Sequence, residues 1–293
     1  IANWRTFEEW VRAVVASNGV ASLENRDAFC DAVNNLYQVK VAKTMKQAWQ
    51  SVLLALCFSV GLGACNASEV AVQTVHAKND VAIDVIKVEK LADLRLYLNN
   101  SGGHAYQSFA AVRGELPACE RMLFGMNAGM YHANYQPVGL YVAQGKQLTP
   151  LNTDTGFGNF FMQPNGVLAW NAEQAWIGKT AASARQNLQA AYATQSGPML
   201  VINHQINPQF LPDATSKKIR NGVGIKGKTL YFAISQKPVS FYQFAQVFKD
   251  TLKTAPALHL DGSISLLYLP QTGREDRRHL LGPMVALVQP CQS

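Results

Sequence analysis

Between residues 81 and 290 the chain is divided into short apolar runs by turn-forming residues, and runs of that length are better suited to strands than to helices. VAIDVIKV at 81–88 alternates as a strand does, and LRLYLNN at 94–100 is a second candidate. GLYVAQGKQLTPL sets two apolar segments around Gln144, Gly145 and Lys146, which predicts a hairpin. NFFMQPNGVLAW predicts another with Asn165-Gly166 at its turn, and PMLVINHQI and VGIKGKTLYFAI continue the pattern. Two stretches read as helix: TAASARQNLQAAYA at 180–193, rich in helix formers, and SFYQFAQVFKDTL at 240–252. In the second, Phe241, Phe244, Ala245, Phe248 and Leu252 recur at the helical period, while Ser240 and Gln243 have the spacing of a capping box. The expected fold is α+β, a single mixed domain over 81–293 dominated by β-sheet with packed helices. No long repeat, low-complexity tract or linker interrupts residues 81–290.

Upstream the pattern changes. Lys43 and Lys46 precede an uncharged run from Ser51 to Ala64, too short to span a bilayer comfortably but suited to the apolar part of an export signal. LGAC at 62–65 resembles a bacterial lipoprotein cleavage box, with Cys65 as the lipidated residue. Residues 45–64 are accordingly expected to be a signal segment and 65–80, polar and weakly patterned, a lipidated tether to a bacterial membrane. That places the domain on the periplasmic side of the cell envelope. Residues 1–44 include an amphipathic stretch, TFEEWVRAVVA, and are left outside the mechanism as an upstream segment. With Cys65 lipidated, Cys119 and Cys291 are an even pair in an oxidising compartment; a disulfide between them and two separate buried thiols are both open.

The net charge of +7 arises from scattered residues, the densest group being SKKIR at 216–220. No basic run with interleaved aromatics argues for nucleic acid, whereas a phosphate-bearing partner is compatible.

Four glycine-rich polar stretches abut apolar runs: GMNAGMYH at 125–132, TQSGPM at 194–199, IRNGVGI at 219–225 and HLDGSISLLY at 259–268. Their polar residues therefore fall at strand ends, where a rigid scaffold can present them to a ligand. Arg220 is the best candidate for an anion, since guanidinium can present a bidentate fork to phosphate and Gly222 and Gly224 would let a ligand approach the backbone. Asp261, following apolar ALHL, is a candidate acid or base. Asn127, Tyr131, His132, Ser196 and Asn221 can orient a sugar or phosphate through hydrogen bonds. His132, His204 and His259 have no local metal spacing, so no metal or other cofactor is expected. Ser196 lacks the flanking glycines of a nucleophile elbow.

Seven strings taken in order, NAGMYH with PVGLYV, GNFFMQPNGV, ATQSGPMLV, IRNGVGI, PVSFYQFAQVFKD, LHLDGSISLLY and LGPMVALVQP, resemble the phosphodiester glycosidase domain family over roughly residues 81–290. The resemblance implies hydrolysis of a sugar-1-phosphodiester, such as one of N-acetylglucosamine, in a phosphorylated saccharide or glycan. It maps a pocket onto Asn127, Tyr131, Ser196, Arg220, Asn221, Asp261 and Ser263. In that reading Asp261 activates water and Arg220 stabilises the leaving phosphate. A second carboxylate would come from Asp84, Glu115, Asp154 or Asp213. The competing class is a non-catalytic envelope lipoprotein that binds phosphorylated glycans, which would need the same contacts but no water-positioning carboxylate.

Overall fold

A computed structural model describes residues 70–77, 80–183, 189–261 and 264–291. The expectations for residues 1–44, the signal segment, Cys65 and Ser263 fall outside them. The described residues lie in the unit Ser68–Ser293. They form three antiparallel sheets with few helices, so the fold is mostly β and the balance expected of an α+β chain is shifted toward strand.

The largest sheet has seven strands, in the order β1 (Ala71–Ala77), β2 (Val81–Val88), β13 (Thr229–Ser235), β12 (Asn221–Lys226), β14 (Ala257–His259), β10 (Met199–Ile202) and β11 (Gln205–Ile206). A second orders β16 (Arg274–Glu275), β15 (Leu267–Leu269), β4 (Arg121–Asn127), β17 (Met284–Gln289) and β3 (Leu94–Tyr97). The third orders β6 (Lys146–Thr149), β5 (Tyr141–Ala143), β9 (Tyr192–Ser196), β7 (Gly166–Trp170) and β8 (Ala175–Lys179).

Strand alternation sorts the seven-stranded sheet into two buried faces. Ile86, Val88, Val223, Phe232 and Leu258 join Phe124, Met126 and Val285 of the second sheet and Leu168 and Trp170 of the third in one core. The Trp170 indole, buried there, donates to the Leu94 carbonyl at 3.0 Å, so its polar edge is satisfied. The opposite face presents Ile83, Val85, Leu200 and Ala233 to Phe244, Ala245 and Phe248. These last belong to α3 (Phe241–Gln246) and the π-helical turn Val247–Thr251 that continues it. Ser240 and Gln243 close the expected capping box, with bonds of 3.2 and 3.0 Å. A further helix, α1 (Phe109–Glu115), capped by Ser108, covers the outer face of the second sheet through Phe109 and Val112.

The strand at 81–88 forms over the expected residues, while that at 94–100 stops at Tyr97. The hairpin at Gln144-Gly145 has both residues at positive φ, as its turn requires. Three expectations are corrected. Residues 71–77 are no loose tether but β1, bonded to β2 along its length; its mixed sequence suits an exposed edge strand. The described part of helix α2 is Thr180–Ser183, and the expected helix does not reach 193: Tyr192 and Ala193 lie in β9, because tertiary pairing with β5 and β7 overrides their helix propensity. Asn165-Gly166 makes no hairpin turn: Asn159–Phe161 is a 3-10 turn and Gly166 already belongs to β7. A Cβ on Gly166 would meet Met199 Sδ at 2.4 Å and the Gly178 carbonyl at 2.7 Å, so this glycine serves close packing rather than a turn.

Cys119 and Cys291 are joined in a disulfide, resolving the alternative left open by their count. Among the described residues, no helix is long and apolar enough to cross a membrane.

Candidate active site

The ends of β4, β12 and β14 and the approach to β15 meet in a buried cluster of carboxamides and one carboxylate. Asn127, the last residue of β4, is fully buried. Its Nδ2 donates to Asp261 Oδ2 at 2.6 Å and to the Ile264 carbonyl, and its Oδ1 accepts from Leu266 N–H at 2.8 Å. Asn221, the first residue of β12, donates from Nδ2 to the Asn127 carbonyl at 2.9 Å and to Asn127 Oδ1 at 3.1 Å. Ser265 donates to the Ile219 carbonyl at 3.1 Å and to Asn221 Oδ1 at 3.4 Å. Asp261 also accepts from Ile264 N–H at 3.4 Å and is nearly buried. The two carboxylate oxygens are thereby held from two sides, Oδ2 from the end of β4 and Oδ1 from the loop leading to β15, which fixes the plane of the group.

Tyr131 lies beside this cluster. Burial first, and then the charges of Asp261 and Tyr135, push its phenol up to about 12, which places the Asp261 carboxylate within electrostatic reach. Its hydroxyl donates to the Leu280 carbonyl at 2.7 Å, and its ring stacks on Tyr135 and lies against Gly282. Ser196 is buried, and its Oγ donates to the Leu260 carbonyl at 2.8 Å, bracing the residue before Asp261.

Arg220 takes the opposite side of the sheet from Asn221, as alternation along β12 dictates. Its guanidinium carbon lies 3.5 Å from the centroid of Phe241, whose other neighbours are Phe210, stacked at 4.9 Å, and His259, edge-on at 4.9 Å. Nε donates to the Val239 carbonyl at 2.9 Å and one terminal nitrogen to the Ser216 carbonyl at 3.4 Å. The other terminal nitrogen, Nη1, is buried without a partner. Burial lowers this guanidinium to about 10, so it remains charged at neutral pH, with no ion pair among the described residues. The expected bidentate phosphate fork is therefore corrected: two nitrogens are committed to carbonyls and one is left. Gly222 and Gly224 likewise do not open the backbone to a ligand. A Cβ on Gly222 would strike the Leu258 carbonyl at 2.8 Å, and one on Gly224 would strike Thr254 Oγ1 at 2.3 Å.

His132 is exposed on the turn that ends at Gln136, and no contact joins it to the cluster. His204 lies on the β10–β11 turn and lines a 420 Å³ cavity with Lys249, Asp250, Lys253 and Thr254. His259 is buried under Phe241, so the three histidines do not converge. Among the described residues, no three His, Cys, Asp or Glu side chains are grouped to hold a metal.

The four further carboxylates have other positions. Asp84 is held by Arg274 at 2.7 Å, Gln236 at 2.7 Å and Thr74 at 3.3 Å, tying the first sheet to the second. Glu115 accepts from Tyr106 at 2.9 Å, Asp154 is exposed, and Asp213 lines a 370 Å³ cavity with Lys217 and Gln243.

Sequence reasoning passed over Thr194, Gln195 and Ser265. Thr194 donates to the Ala128 carbonyl at 2.6 Å, and Gln195 bonds Leu140 N–H, both backbone groups of Asn152, and Thr180. The ATQS stretch is thus a set of braces, each side chain holding a loop next to the cluster. The available signal was that run of consecutive polar residues in an otherwise apolar strand.

The phosphodiester glycosidase family matches residues 120–276, a span that contains Asn127, Ser196, Arg220, Asn221 and Asp261. Uncharacterized protein YigE of Escherichia coli (strain K12) is 37% identical over 177 residues, which are 60% of this chain and 69% of that protein. The catalytic domain of zebrafish N-acetylglucosamine-1-phosphodiester alpha-N-acetylglucosaminidase, auto-inhibited by its pro-peptide, superposes with a TM-score of 0.53. That superposition covers 75% of this chain and 82% of the zebrafish one at 12% identity, a likeness of fold alone. The match over more than half of the chain shows that it belongs to the phosphodiester glycosidase family.

Proposed function

We propose that the chain hydrolyses a sugar-1-phosphodiester, of the N-acetylglucosamine-1-phosphodiester kind, releasing the free sugar and a phosphomonoester. Family membership supports a glycosidase-type hydrolase. The observation that carries the finer reading is the Asp261 carboxylate, oriented by Asn127 at the convergence of strand ends. In the proposed step Asp261 takes a proton from a water whose oxygen forms the new bond to C1. The C1–O bond to the phosphate breaks, and its electron pair stays on the phosphate oxygen. Phosphate leaves readily, so charge stabilisation matters more than protonation; Arg220, a buried cation on the opposite face of the sheet from Asn221, supplies it through its field in a low-dielectric setting. Asn127 and Asn221 hold the geometry. The proposal extends to location: an exported protein, lipidated at Cys65 and held at the periplasmic side of a bacterial membrane, acting on a phosphorylated glycan.

The test is sugar release from N-acetylglucosamine-1-phosphodiesters by the full chain, by Asp261→Asn and by Arg220→Met. Folded variants are expected to lose about 10²–10⁴-fold and about 10²–10³-fold in kcat, respectively. A folded parent that binds several such diesters yet releases no sugar from any would replace this reading with that of a glycan-binding lipoprotein.

A further inference from the structure

His259 is the one fully buried imidazole among the described residues, and the proposed chemistry makes no use of it. Its Nδ1 lies 2.7 Å from the Asn221 carbonyl oxygen. A carbonyl only accepts, so Nδ1 carries the proton and Nε2 is left with a lone pair, which has no partner. The same carbonyl accepts a second, longer bond from Leu260 N–H at 3.3 Å. The imidazole edge meets the ring of Phe241, and the Arg220 guanidinium lies over that ring. One side chain therefore touches both halves of the site: the backbone of the carboxamide cluster through Nδ1, and the platform under the buried cation through its ring.

An ordinary core residue at this position would be apolar, since the hydrophobic side chains of this layer are phenylalanines and aliphatic groups and an unpartnered Nε2 is unfavourable there. The cost is offset only by what Nδ1 does. The Asn221 carbonyl belongs to the Asn221–Gly222 peptide, so holding it fixes the backbone from which the Asn221 carboxamide projects, while the imidazole edge braces Phe241 beneath Arg220 on the opposite face of the sheet. We propose that His259 is a positioning residue of the hydrolytic site, fixing the Asn221–Gly222 peptide through Nδ1–H so that the Asn221 carboxamide keeps its place beside Asn127 and Asp261, and bracing with its ring the Phe241 platform under Arg220. This inference rests on the proposed hydrolysis.

Three variants in the full chain test it. His259→Asn places an amide N–H near the Nδ1 position, His259→Gln places it near Nε2 instead, and His259→Leu removes both nitrogens. The leucine variant is expected to fold, because Leu260 N–H still serves the Asn221 carbonyl and the orphaned Nε2 is gone. The readouts are kcat and KM on a sugar-1-phosphodiester, and hydrogen exchange of the Arg220 Nε–H by nitrogen-15 NMR. His259→Asn is expected to keep parental kcat and slow exchange. His259→Leu and His259→Gln are expected to lose about 10- to 100-fold in kcat, with KM changed less than about threefold and Arg220 exchange accelerated. Parental kcat and slow exchange in folded His259→Leu would overturn the inference, as would equal losses in His259→Asn and His259→Leu. If the parent hydrolyses no sugar-1-phosphodiester, the proposed function fails separately, and Arg220 exchange alone decides whether His259 positions the cation.

Discussion

Acidification from pH 7 to pH 5 is expected to remove about 2 kcal/mol of stability through His259 alone. Burial, reinforced by the charge of Arg220 and only partly opposed by the bond to Asn221, takes this imidazole down to about 3. In the unfolded chain it titrates near the ordinary value of about 6.5. A folded-state value below the unfolded one means that the stabilisation is fully present above pH ~6.5 and is lost as pH falls toward ~3, because only the unfolded state takes up the proton. Between pH 7 and pH 5 the unfolded imidazole goes from about one-quarter to almost fully protonated, while the folded one stays neutral, and the ratio of the two partition functions gives the figure above. On a total stability of about 5–15 kcal/mol the effect is readily measured. The assay is urea denaturation of the parent and of His259→Asn at pH 7, 6 and 5. Taking the difference between the two proteins at each pH cancels the exposed histidines they share. The gap should narrow or reverse in favour of the variant by about 2 kcal/mol across this range. A difference independent of pH would refute the argument, since it would mean that the buried imidazole accepts its proton as easily folded as unfolded.

Three other outcomes follow from the same structure. Asn127→Ala strips partners from Asp261, Ile264 and Leu266 at once; about 3–6 kcal/mol of destabilisation is expected in urea titrations, with sugar release abolished even where the fold persists. Gly166→Ala drives a methyl into Met199 and the Gly178 carbonyl and should cost about 1–3 kcal/mol in a thermal melt; a parental Tm would show that β7 and β8 can part at no cost. Replacing Cys119 and Cys291 by serine frees a loop closed across a separation of 172 residues, and the chain-entropy limit is a loss of about 5 kcal/mol, read as a lower urea midpoint than that of the oxidised parent.

Much of the sheet was legible because strand and turn signals are local. Alternation marked 81–88, the Gln144-Gly145 turn marked its hairpin, and Ser240 with Gln243 marked the start of α3. Where a residue's role depends on what comes to lie against it, local reading failed. Gly166 follows an asparagine as a turn glycine does, but its lack of a side chain accommodates Met199, more than thirty residues away. Tyr192 and Ala193 sit in a helix-rich composition, yet β5 and β7 claim their backbone hydrogen bonds. The polar residues of the site were visible as misfits in apolar strands, whereas the braces Thr194 and Gln195 were visible only as part of a motif.

The sequence by itself determined the strand periodicity, the family and the identities of Asn127, Asn221 and Asp261, because each of these is written in neighbouring residues or in a short string. Tertiary structure alone decided how they combine. The Asn127–Asp261 bond joins residues 134 apart and the Asn221–Asn127 bond residues 94 apart, distances over which no periodicity operates. It also decided that Arg220 and Asn221 face apart, that two of the arginine's nitrogens are spent on carbonyls, and that His259 lies beneath both. The physical reason is that hydrogen bonding and burial act on whatever the fold brings within about 3 Å, and sheet pairing, not chain proximity, sets those neighbours.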